Sequence, residues 1–384
     1  MRICIVYDCI YPHTVGGAER WYRALAERLV EAGHEVDYLT LRQWPEDEDA
    51  GLEGVNVIAV GPELELYARG RRRLAPPLRF GVGVLVHLAR RGRRYDVVHT
   101  ASFPYFSLLA AGLIRPLGRY RIVVDWHEVW TRRYWREYIG AAGEIGWRVQ
   151  RACLRIPQRA FCFSRLHARR LTEEGYRNEV TILRGEYAGG AGGLSAAADP
   201  PLVVFAGRQI PEKRVPALVP AIARARERIP GLRGEILGDG PDRPEVSRQV
   251  AALGLGDVID LPGFVSPERV AESLSRALCL VLPSRREGYG LVVVEAASTG
   301  TPSVVVADPD NAAVELIDEG VNGTVADSAE PEALAAAIGR VHEGGTALRE
   351  STAAWFHDHR DELSLDRSLD TVAAAYSEGD TVRR

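Results

Sequence analysis

The stretch SRREGYGLVVVEAASTGTP at residues 284–302 decides how this sequence is interpreted. It follows the apolar run 279–282, which is typical of a buried strand, and a Gly-Tyr-Gly turn leads into a segment of helical period. Glycines between a strand and a helix let backbone N–H groups approach an anion, and the helix dipole favours negative charge there. The spacing of Glu287 and Glu295 predicts two carboxylates in one crevice, where they would accept hydrogen bonds from sugar hydroxyls.

Outward from this stretch, short β-branched runs alternate with helical segments along most of the chain, which predicts repeated βαβ units with parallel sheets. Before and after it, strands are expected at residues 202–206, 235–237, 258–261, 279–282 and 303–306. Nearer the N-terminus, strands are expected at residues 3–7, 35–40, 55–60, 96–99, 121–125, 160–164 and 180–183. Between the two groups, small and flexible residues with a proline pair predict a linker.

We therefore expect an α/β protein of two doubly wound, Rossmann-like domains facing a central cleft. The predicted domains are residues 1–186 and 200–354, joined by the linker 187–200, and a length of 384 residues suits two cores. An amphipathic segment from Trp355 to Tyr376 predicts a tail helix, with residues 355–384 packing back on the first domain.

The composition is that of a soluble globular enzyme, with 46% hydrophobic and 26% charged residues. A formal net charge of −4 gives no overall attraction to nucleic acid. The five cysteines show no Cys-x-x-Cys spacing, so neither a disulfide framework nor a zinc site is expected, and a reducing cytoplasm fits. The sequence shows neither a spanning apolar run nor a signal peptide.

A basic loop follows the first strand of the second domain, in the stretch FAGRQIPEKR at residues 205–214. It contains Arg208 and the chain's only lysine, Lys213. A guanidinium fork together with a mobile ammonium suits a diphosphate leaving group, because both neutralise the charge that develops as a bond to the diphosphate breaks.

Two loops of the first domain also lie at predicted strand ends. Gly16 and Gly17 lead from the first strand into a helix, without the Gly-x-Gly-x-x-Gly pattern of a dinucleotide site. Asp125-Trp126-His127 ends the fifth strand. Ser164 ends the sixth, where a helix N-cap is at least as good an interpretation as a ligand.

These motifs resemble the retaining GT-B glycosyltransferases of family 4, also called glycosyl transferases group 1, over nearly the whole chain. The resemblance rests on the Glu, seven residues, Glu arrangement, on the Gly-Arg and Glu-Lys pairs, and on Asp-x-His. It implies that Glu295 holds the ribose hydroxyls of the donor and Glu287 those of the transferred sugar. It also implies that Arg208 and Lys213 hold the diphosphate, and that His127 lies beside the reacting sugar.

The resemblance further implies donor contacts at the glycine-containing loops of both domains: Gly16, Gly17, Gly238, Val265, Gly288, Tyr289, Gly290 and Leu291. The sequence departs from the family at Arg214, where a glycine is usual. It departs again at residues 183–187, where LRGEY replaces the customary Pro-Asn-Gly-Val-Asp.

The function implied is transfer of a hexosyl-type sugar, with retention, from a nucleotide-diphospho-sugar such as a UDP-sugar or GDP-sugar to a hydroxyl acceptor. That acceptor would be a glycan, a lipid-linked sugar or a small natural product. The residues expected to act in catalysis are His127, Glu287, Arg208 and Lys213, without a metal. The alternatives are a GT-B nucleotide-sugar epimerase and a non-catalytic nucleotide-sugar-binding protein, with a Rossmann dehydrogenase as a poorer third.

Two further patterns allow other hypotheses. The acidic pairs Asp47 with Asp49 and Asp308 with Asp310 are weak candidates for the metal site of a GT-A transferase. Arginine runs at residues 69–73 and 90–94 bracket the apolar stretch 80–88, which suggests peripheral contact with the inner face of the membrane. A solvated basic surface is the more frequent meaning of such runs.

Overall fold

The computed structural model describes residues 1–45, 48–64, 67–68, 71–73, 75–190 and 193–377. The chain divides into two compact units. The first is Met1–Glu186 together with Asp366–Arg384, and the second is Tyr187–Leu365. Each has its own parallel sheet, as the alternation of strands and helices in the sequence predicts.

The first unit contains a seven-stranded parallel sheet of order β3-β2-β1-β6-β7-β8-β9 and a separate antiparallel pair, β4-β5. The strands are β1 (Arg2–Val6), β2 (Glu35–Leu41), β3 (Asn56–Gly61), β4 (Tyr67–Ala68), β5 (Arg71–Arg72), β6 (Val97–Ala101), β7 (Arg121–Trp126), β8 (Arg159–Cys162) and β9 (Val180–Ile182). The helices are α1 (Gly17–Glu31), α2 (Ala75–Arg91), α3 (Phe106–Gly118), α4 (Arg132–Ile139), α5 (Gly143–Leu154) and α6 (Arg165–Glu173).

Strand β1 lies in the middle of this sheet and is buried on both faces. Ile3 pairs with Val36 of β2 on one side and with Val97 of β6 on the other. Residues 3–6 are fully buried, although their side chains alternate between the two faces of the sheet. A continuous apolar run is the expected sequence of a strand covered by helices on both faces.

The second unit contains a six-stranded parallel sheet of order β12-β11-β10-β13-β15-β17, with a small pair β14-β16. The strands are β10 (Leu202–Ala206), β11 (Arg233–Leu237), β12 (Ile259–Gly263), β13 (Cys279–Leu282), β14 (Arg286–Glu287), β15 (Ser303–Val306), β16 (Asp310–Asn311) and β17 (Gly323–Ala326). The helices are α7 (Leu218–Arg226), α8 (Arg243–Ala252), α9 (Pro267–Arg276), α10 (Leu291–Ala297) and α11 (Pro331–Leu363). The strand order reverses between β10 and β13, so this unit has its topological switch point there.

The tail differs from the single helix predicted from Trp355 to Tyr376. Residues 355–363 are the end of α11, which belongs to the second unit. Ser364 is extended and forms a β-bridge with Tyr187, so the helix is interrupted there. The final helix, α12 (Leu365–Ser377), lies almost entirely in the first unit.

Helix α12 is held to the first unit by polar contacts along its length. Arg28 of α1 forms ion pairs with Asp366 and, at 2.7 Å, with Asp370. The Gly185 N–H donates to Ser368 Oγ at 3.1 Å. Within the described part of the chain, no helix has both the length and the apolar character needed to cross a bilayer.

Candidate active site

Three loops of the second unit meet at its topological switch point. They follow β10, β13 and β15, which are neighbours in the sheet. The Arg285 N–H donates to the Glu212 carbonyl at 2.8 Å, which joins the first two loops. Asn311 Nδ2 donates to the carbonyls of Val306 at 2.8 Å and Ser284 at 3.3 Å, which joins the third loop to the second. Parallel strands bring these loops to one edge, where ligands of doubly wound sheets bind.

Lys213 and Glu287 are in direct contact at the centre of these loops. Lys213 Nζ donates to Glu287 Oε1, and the same oxygen accepts a hydrogen bond from Ser284 Oγ at 2.7 Å. The Glu287 side chain is only 9% exposed and that of Lys213 20% exposed. The pair therefore combines a positive charge with a carboxylate in a partly desolvated place, where electrostatic interactions are stronger than in water.

The departure at Arg214 places a non-glycine residue in a conformation that favours glycine, and its side chain has a partner in another loop. Arg214 adopts the left-handed conformation, with φ of +50° and ψ of +34°, in which glycine meets no Cβ penalty. Its guanidinium pairs with Asp308 at 3.0 Å. The ion pair anchors a side chain that a glycine would lack, and it joins the loop after β10 to the loop after β15.

Glu287 and Glu295 do not share one helix. Glu287 lies in β14, which pairs with β16, whereas Glu295 is the fifth residue of the short helix α10. Gly290 caps this helix at φ of +107°, and an added Cβ would lie 2.7 Å from the Cβ of Ala313. Gly290 thus has a packing role whether or not it contacts a ligand. Gly288, Tyr289 and Leu291 flank it, and Tyr289 is buried.

Gly238 is placed for backbone packing. A Cβ at Gly238 would collide with the carbonyl oxygen of Gly207, and the Gly238 N–H donates to the Gly263 carbonyl at 2.7 Å. Its role as a donor contact stays a prediction. Val265, in the loop after β12, is partly buried. Its neighbour Phe264, which is not among the predicted donor contacts, is 71% exposed.

His127 follows β7 at the carboxyl edge of the first unit's sheet. Its ring stacks on Phe163, with centroids 4.6 Å apart and planes 7° apart. Burial lowers the pKa of His127 below its usual value, against the opposing effect of Asp125 and Glu128. Nε2 is buried and has no hydrogen-bond partner among the described residues. A neutral imidazole is therefore expected at neutral pH, with one ring nitrogen as donor and the other as acceptor.

Two residues before His127, Asp125 belongs to a buried polar chain that the sequence did not reveal. Asp125 Oδ2 accepts from Trp21 Nε1 at 2.7 Å and lies 2.9 Å from His99 Nε2. His99 Nδ1 in turn contacts the hydroxyl of Tyr376 on α12. Burial alone would raise the pKa of Asp125, but His99 holds that pKa below its usual value. The tail helix is thus connected to the strand that precedes His127.

The segment 183–187, which departs from the family's usual sequence, contains one acidic residue, Glu186. Burial and the nearby Asp125 carboxylate raise the pKa of Glu186 to about 8. A glutamic acid in such surroundings holds its proton at neutral pH.

Among the other first-unit candidates, Gly16 is the N-cap of α1 and Gly17 its first residue, and both stay predicted donor contacts. Ser164 caps α6 by accepting from the His167 N–H at 3.2 Å, so it serves as the N-cap.

The acidic pairs do not form a metal cluster in the described residues. Asp47 lies outside those residues, and Asp308 is paired with Arg214. Within the described ranges, no group of three His, Cys, Asp or Glu side chains is placed to hold a metal ion. Arg208 is exposed at the start of the loop after β10, and its role at the diphosphate stays a prediction.

Sequence reasoning missed three residues that join the site's loops: Ser284, Asn311 and Asp308 in its role as partner of Arg214. Ser284 and Asn311 are buried polar residues at strand ends, and that pattern is the signal by which they could have been found. The partner of Arg214 lies 94 residues away and has no local signal.

Comparison with known proteins identifies the family. The family described as Glycosyltransferase Family 4 matches residues 15–185, and the family described as Glycosyl transferases group 1 matches residues 193–354. The chain belongs to the family 4, group 1 glycosyltransferases and has their GT-B fold. The expectation from the sequence is confirmed for family and fold.

Solved structures with this fold match almost the whole chain. Sucrose-phosphate synthase from Thermosynechococcus elongatus has a TM-score of 0.81 at 19% identity, covering 99% of each chain. HepE from Anabaena, in complex with UDP-glucose, has a TM-score of 0.77 at 16% identity, covering 98% of this chain and all of the other. At these identities the likeness shows the fold alone.

Curated relatives match more closely over shorter regions. A D-inositol 3-phosphate glycosyltransferase from Streptomyces griseus subsp. griseus is 34% identical over 193 residues, 48% of this chain and 40% of the relative. An alpha-D-kanosaminyltransferase from Streptomyces kanamyceticus is 34% identical over 155 residues, 40% of this chain and 39% of the relative. The match thus spans about two fifths of the length of these relatives.

Proposed function

We propose that this chain is a retaining glycosyltransferase that moves a hexosyl-type sugar from a nucleotide-diphospho-sugar to a hydroxyl acceptor. The observation that carries the proposal is the cluster of Lys213, Glu287 and Ser284 at the switch point between β10 and β13. A doubly wound sheet binds ligands at this position, and the cluster offers both a cation for phosphate and a carboxylate for hydroxyls.

In this proposal the second unit binds the donor. Lys213 and Arg208 neutralise the diphosphate as the glycosidic bond breaks, and Glu287 accepts hydrogen bonds from hydroxyls of the transferred sugar. Glu295, partly buried in α10, accepts hydrogen bonds from the ribose hydroxyls. Positive side chains serve where other transferases use a divalent ion, so we propose that no metal is required.

The first unit binds the acceptor in this proposal. His127 orients a hydroxyl of the acceptor or of the donor sugar, because its low pKa leaves the ring neutral and able both to donate and to accept. General-base catalysis is not assigned to it, since a donor phosphate oxygen can accept the acceptor's proton.

The names of related proteins support the substrate class. HepE is seen with UDP-glucose, which favours a UDP-sugar over a GDP-sugar as the first donor to try. The relative named for D-inositol 3-phosphate favours a hydroxyl-rich small acceptor alongside glycans and lipid-linked sugars, and the name alpha-D-kanosaminyltransferase specifies a transferred sugar. The five cysteines, all among the described residues, form no disulfide, which fits a reducing, cytoplasmic place of action.

The test is incubation with radiolabelled UDP-glucose or GDP-mannose, with and without a panel of hydroxyl acceptors. A transferase yields labelled acceptor only when the acceptor is present. Conversion of the donor alone to another nucleotide sugar would instead identify an epimerase, and tight binding without turnover on any acceptor would identify a binding protein. Thermal-shift screening of nucleotide sugars chooses the donor first, because a ligand that binds only the folded state raises its apparent stability.

A further inference from the structure

One segment of the first unit has a charge opposite to that of the whole protein. Residues 69–94 contain nine arginines and no aspartate or glutamate, in a chain whose formal net charge is −4. Helix α2, with Arg79, Arg90 and Arg91, forms most of this segment, and the exposed Arg93 and Arg94 follow it. Positive charge concentrated in this way creates a local field that attracts anionic surfaces.

The same helix has two apolar stripes, of which one is exposed. Phe80, Val84 and Leu88 recur every four residues and are at most 1% exposed, so they pack α2 on the core. Two residues away from each of these, a second stripe also recurs every four residues. It consists of Leu78, Val82 and Val86, which are 47%, 60% and 41% exposed. Three large apolar side chains in register on one exposed face mark an interaction surface.

This exposed stripe forms one wall of a groove. The groove lies between α2 and β3, the edge strand of the sheet, and has a volume of about 690 Å³. Ile58 and Val60 of β3 contribute to its lining, and Arg79, Arg90 and Arg91 contribute basic groups. Apolar side chains beside arginines, on a helix without acidic residues, are the composition of a helix that lies in a lipid interface.

We propose that the exposed face of α2 docks on an anionic lipid bilayer, with Leu78, Val82 and Val86 entering the headgroup boundary and the arginines contacting lipid phosphates. The apolar stripe favours a bilayer over nucleic acid, which would need polar and basic contacts along that face. The excess of arginine with no acid on the helix favours anionic lipid over an ordinary protein partner. This inference goes beyond the proposed function and needs no donor or acceptor for its test.

The test is flotation of the full chain with vesicles of phosphatidylcholine and phosphatidylglycerol in a ratio of 7:3, compared with pure phosphatidylcholine. Binding is expected only to the anionic vesicles, and it should weaken as salt rises, because surface charges are screened. Arg90→Gln combined with Arg91→Gln should lower the partition coefficient about thirtyfold, since each arginine near the surface adds about a factor of five. Val82→Asp should also abolish most binding.

Matched controls carry the same changes on other surfaces. Leu253→Asp alters an apolar residue that is 49% exposed in the second unit, and Arg133→Gln combined with Arg169→Gln removes two exposed arginines of the first unit. These variants should bind vesicles as the wild type does. The proposal is overturned by wild-type protein that does not float with anionic vesicles, by controls that lose as much as the α2 variants, or by full binding of Val82→Asp. Sedimentation tests one more alternative. A dimer that Val82→Asp dissociates, in a protein that does not bind vesicles, would equally overturn the proposal, because the exposed stripe would then be an interface between two copies of this chain.

Discussion

Lys213 Nζ donates to the carboxylate of Glu287 across 74 residues of sequence, and Ser284 Oγ donates to the same oxygen at 2.7 Å. The two residues that the resemblance assigns to diphosphate and to sugar are thus already in contact. Glu287 holds the ammonium in place, so the proposed transfer would need little reorganisation when charge develops on the leaving group.

Lys213→Ala is expected to lower turnover more than donor affinity. The ammonium meets a charge that grows as the diphosphate departs, and the loss of one such group typically costs about a hundredfold in kcat. Steady-state kinetics with the identified donor and acceptor measure it. Lys213→Arg, which keeps the charge, is the matched control and should retain more turnover than the alanine variant. Wild-type kcat with only a raised KM would show that Lys213 binds the ground state alone.

Glu295→Ala should weaken the binding of free nucleoside diphosphate. Loss of a charge-assisted acceptor for the ribose costs about 1.5 to 3 kcal/mol, or roughly ten- to a hundredfold in Kd. Titration calorimetry with UDP and GDP reports the change directly. Glu332→Ala, on the exposed first turn of α11, is the control and should leave the affinity unchanged. An unaltered Kd in a folded Glu295→Ala protein would remove the ribose assignment.

The product should keep the anomeric configuration of the donor sugar, and EDTA should not abolish activity. Retention is expected from the arrangement of Glu287 and Glu295, which resembles that of retaining enzymes. Metal independence is expected from the proposed use of Arg208 and Lys213 to neutralise the diphosphate. NMR coupling constants of the anomeric proton settle the stereochemistry for a gluco-configured sugar. An inverted product would contradict the retaining mechanism, and activity lost in EDTA and restored by Mg²⁺ or Mn²⁺ would contradict metal independence.

His127 should make the protein less stable as the solution becomes acidic. Its pKa is lowered in the folded state, whereas the unfolded chain binds this proton below about pH 6.5. The unfolded state therefore binds more protons below that pH, and the free energy of unfolding falls as pH falls. Urea unfolding of His127→Gln and wild type at pH 5.5 and 7.5 should show that the variant loses less stability on acidification. The control is His342→Gln, at an exposed histidine, which should lose as much stability on acidification as the wild type. A loss in His127→Gln equal to that of the wild type would refute the prediction.

Tyr376→Phe should destabilise the first unit by about 1 to 3 kcal/mol, because His99 would lose a partner inside the core. Urea denaturation followed by fluorescence measures this free energy of unfolding. Tyr187→Phe removes a hydroxyl that donates to the Gly190 carbonyl in an exposed place, so its cost should be well below that of Tyr376→Phe. Equal costs for the two variants would show that the contact between α12 and β6 adds nothing specific.

Much of the fold could be predicted from local patterns. Runs such as 202–206 and 279–282 coincide with β10 and β13, because a buried parallel strand needs consecutive apolar residues and the helices beside it need a 3.6-residue period. Strand β17 was missed. Its sequence, Gly-Thr-Val-Ala, contains only one large apolar residue, and the strand is specified by its pairing with β15.

The candidate site was predicted in its residue types and only partly in its geometry. Strand-end loops with Arg208, Lys213, Glu287 and Glu295 could be found in the sequence because parallel strands bring such loops to one edge. Glu295 was expected in the helix after the Gly-Tyr-Gly turn, and it lies in α10. That Glu287 lies in β14 and pairs with β16 was not predicted, because two residues of strand leave no periodic pattern in the sequence.

The sequence by itself determined the alternation of strands and helices and the loops that carry charge, since each depends on residues that are near one another in the chain. Only the tertiary structure decided which charges pair: Lys213 with Glu287, Arg214 with Asp308, and Tyr376 with His99. The last pair spans 277 residues. Such contacts depend on strand order and loop packing, which bring distant residues together with no local sequence signal.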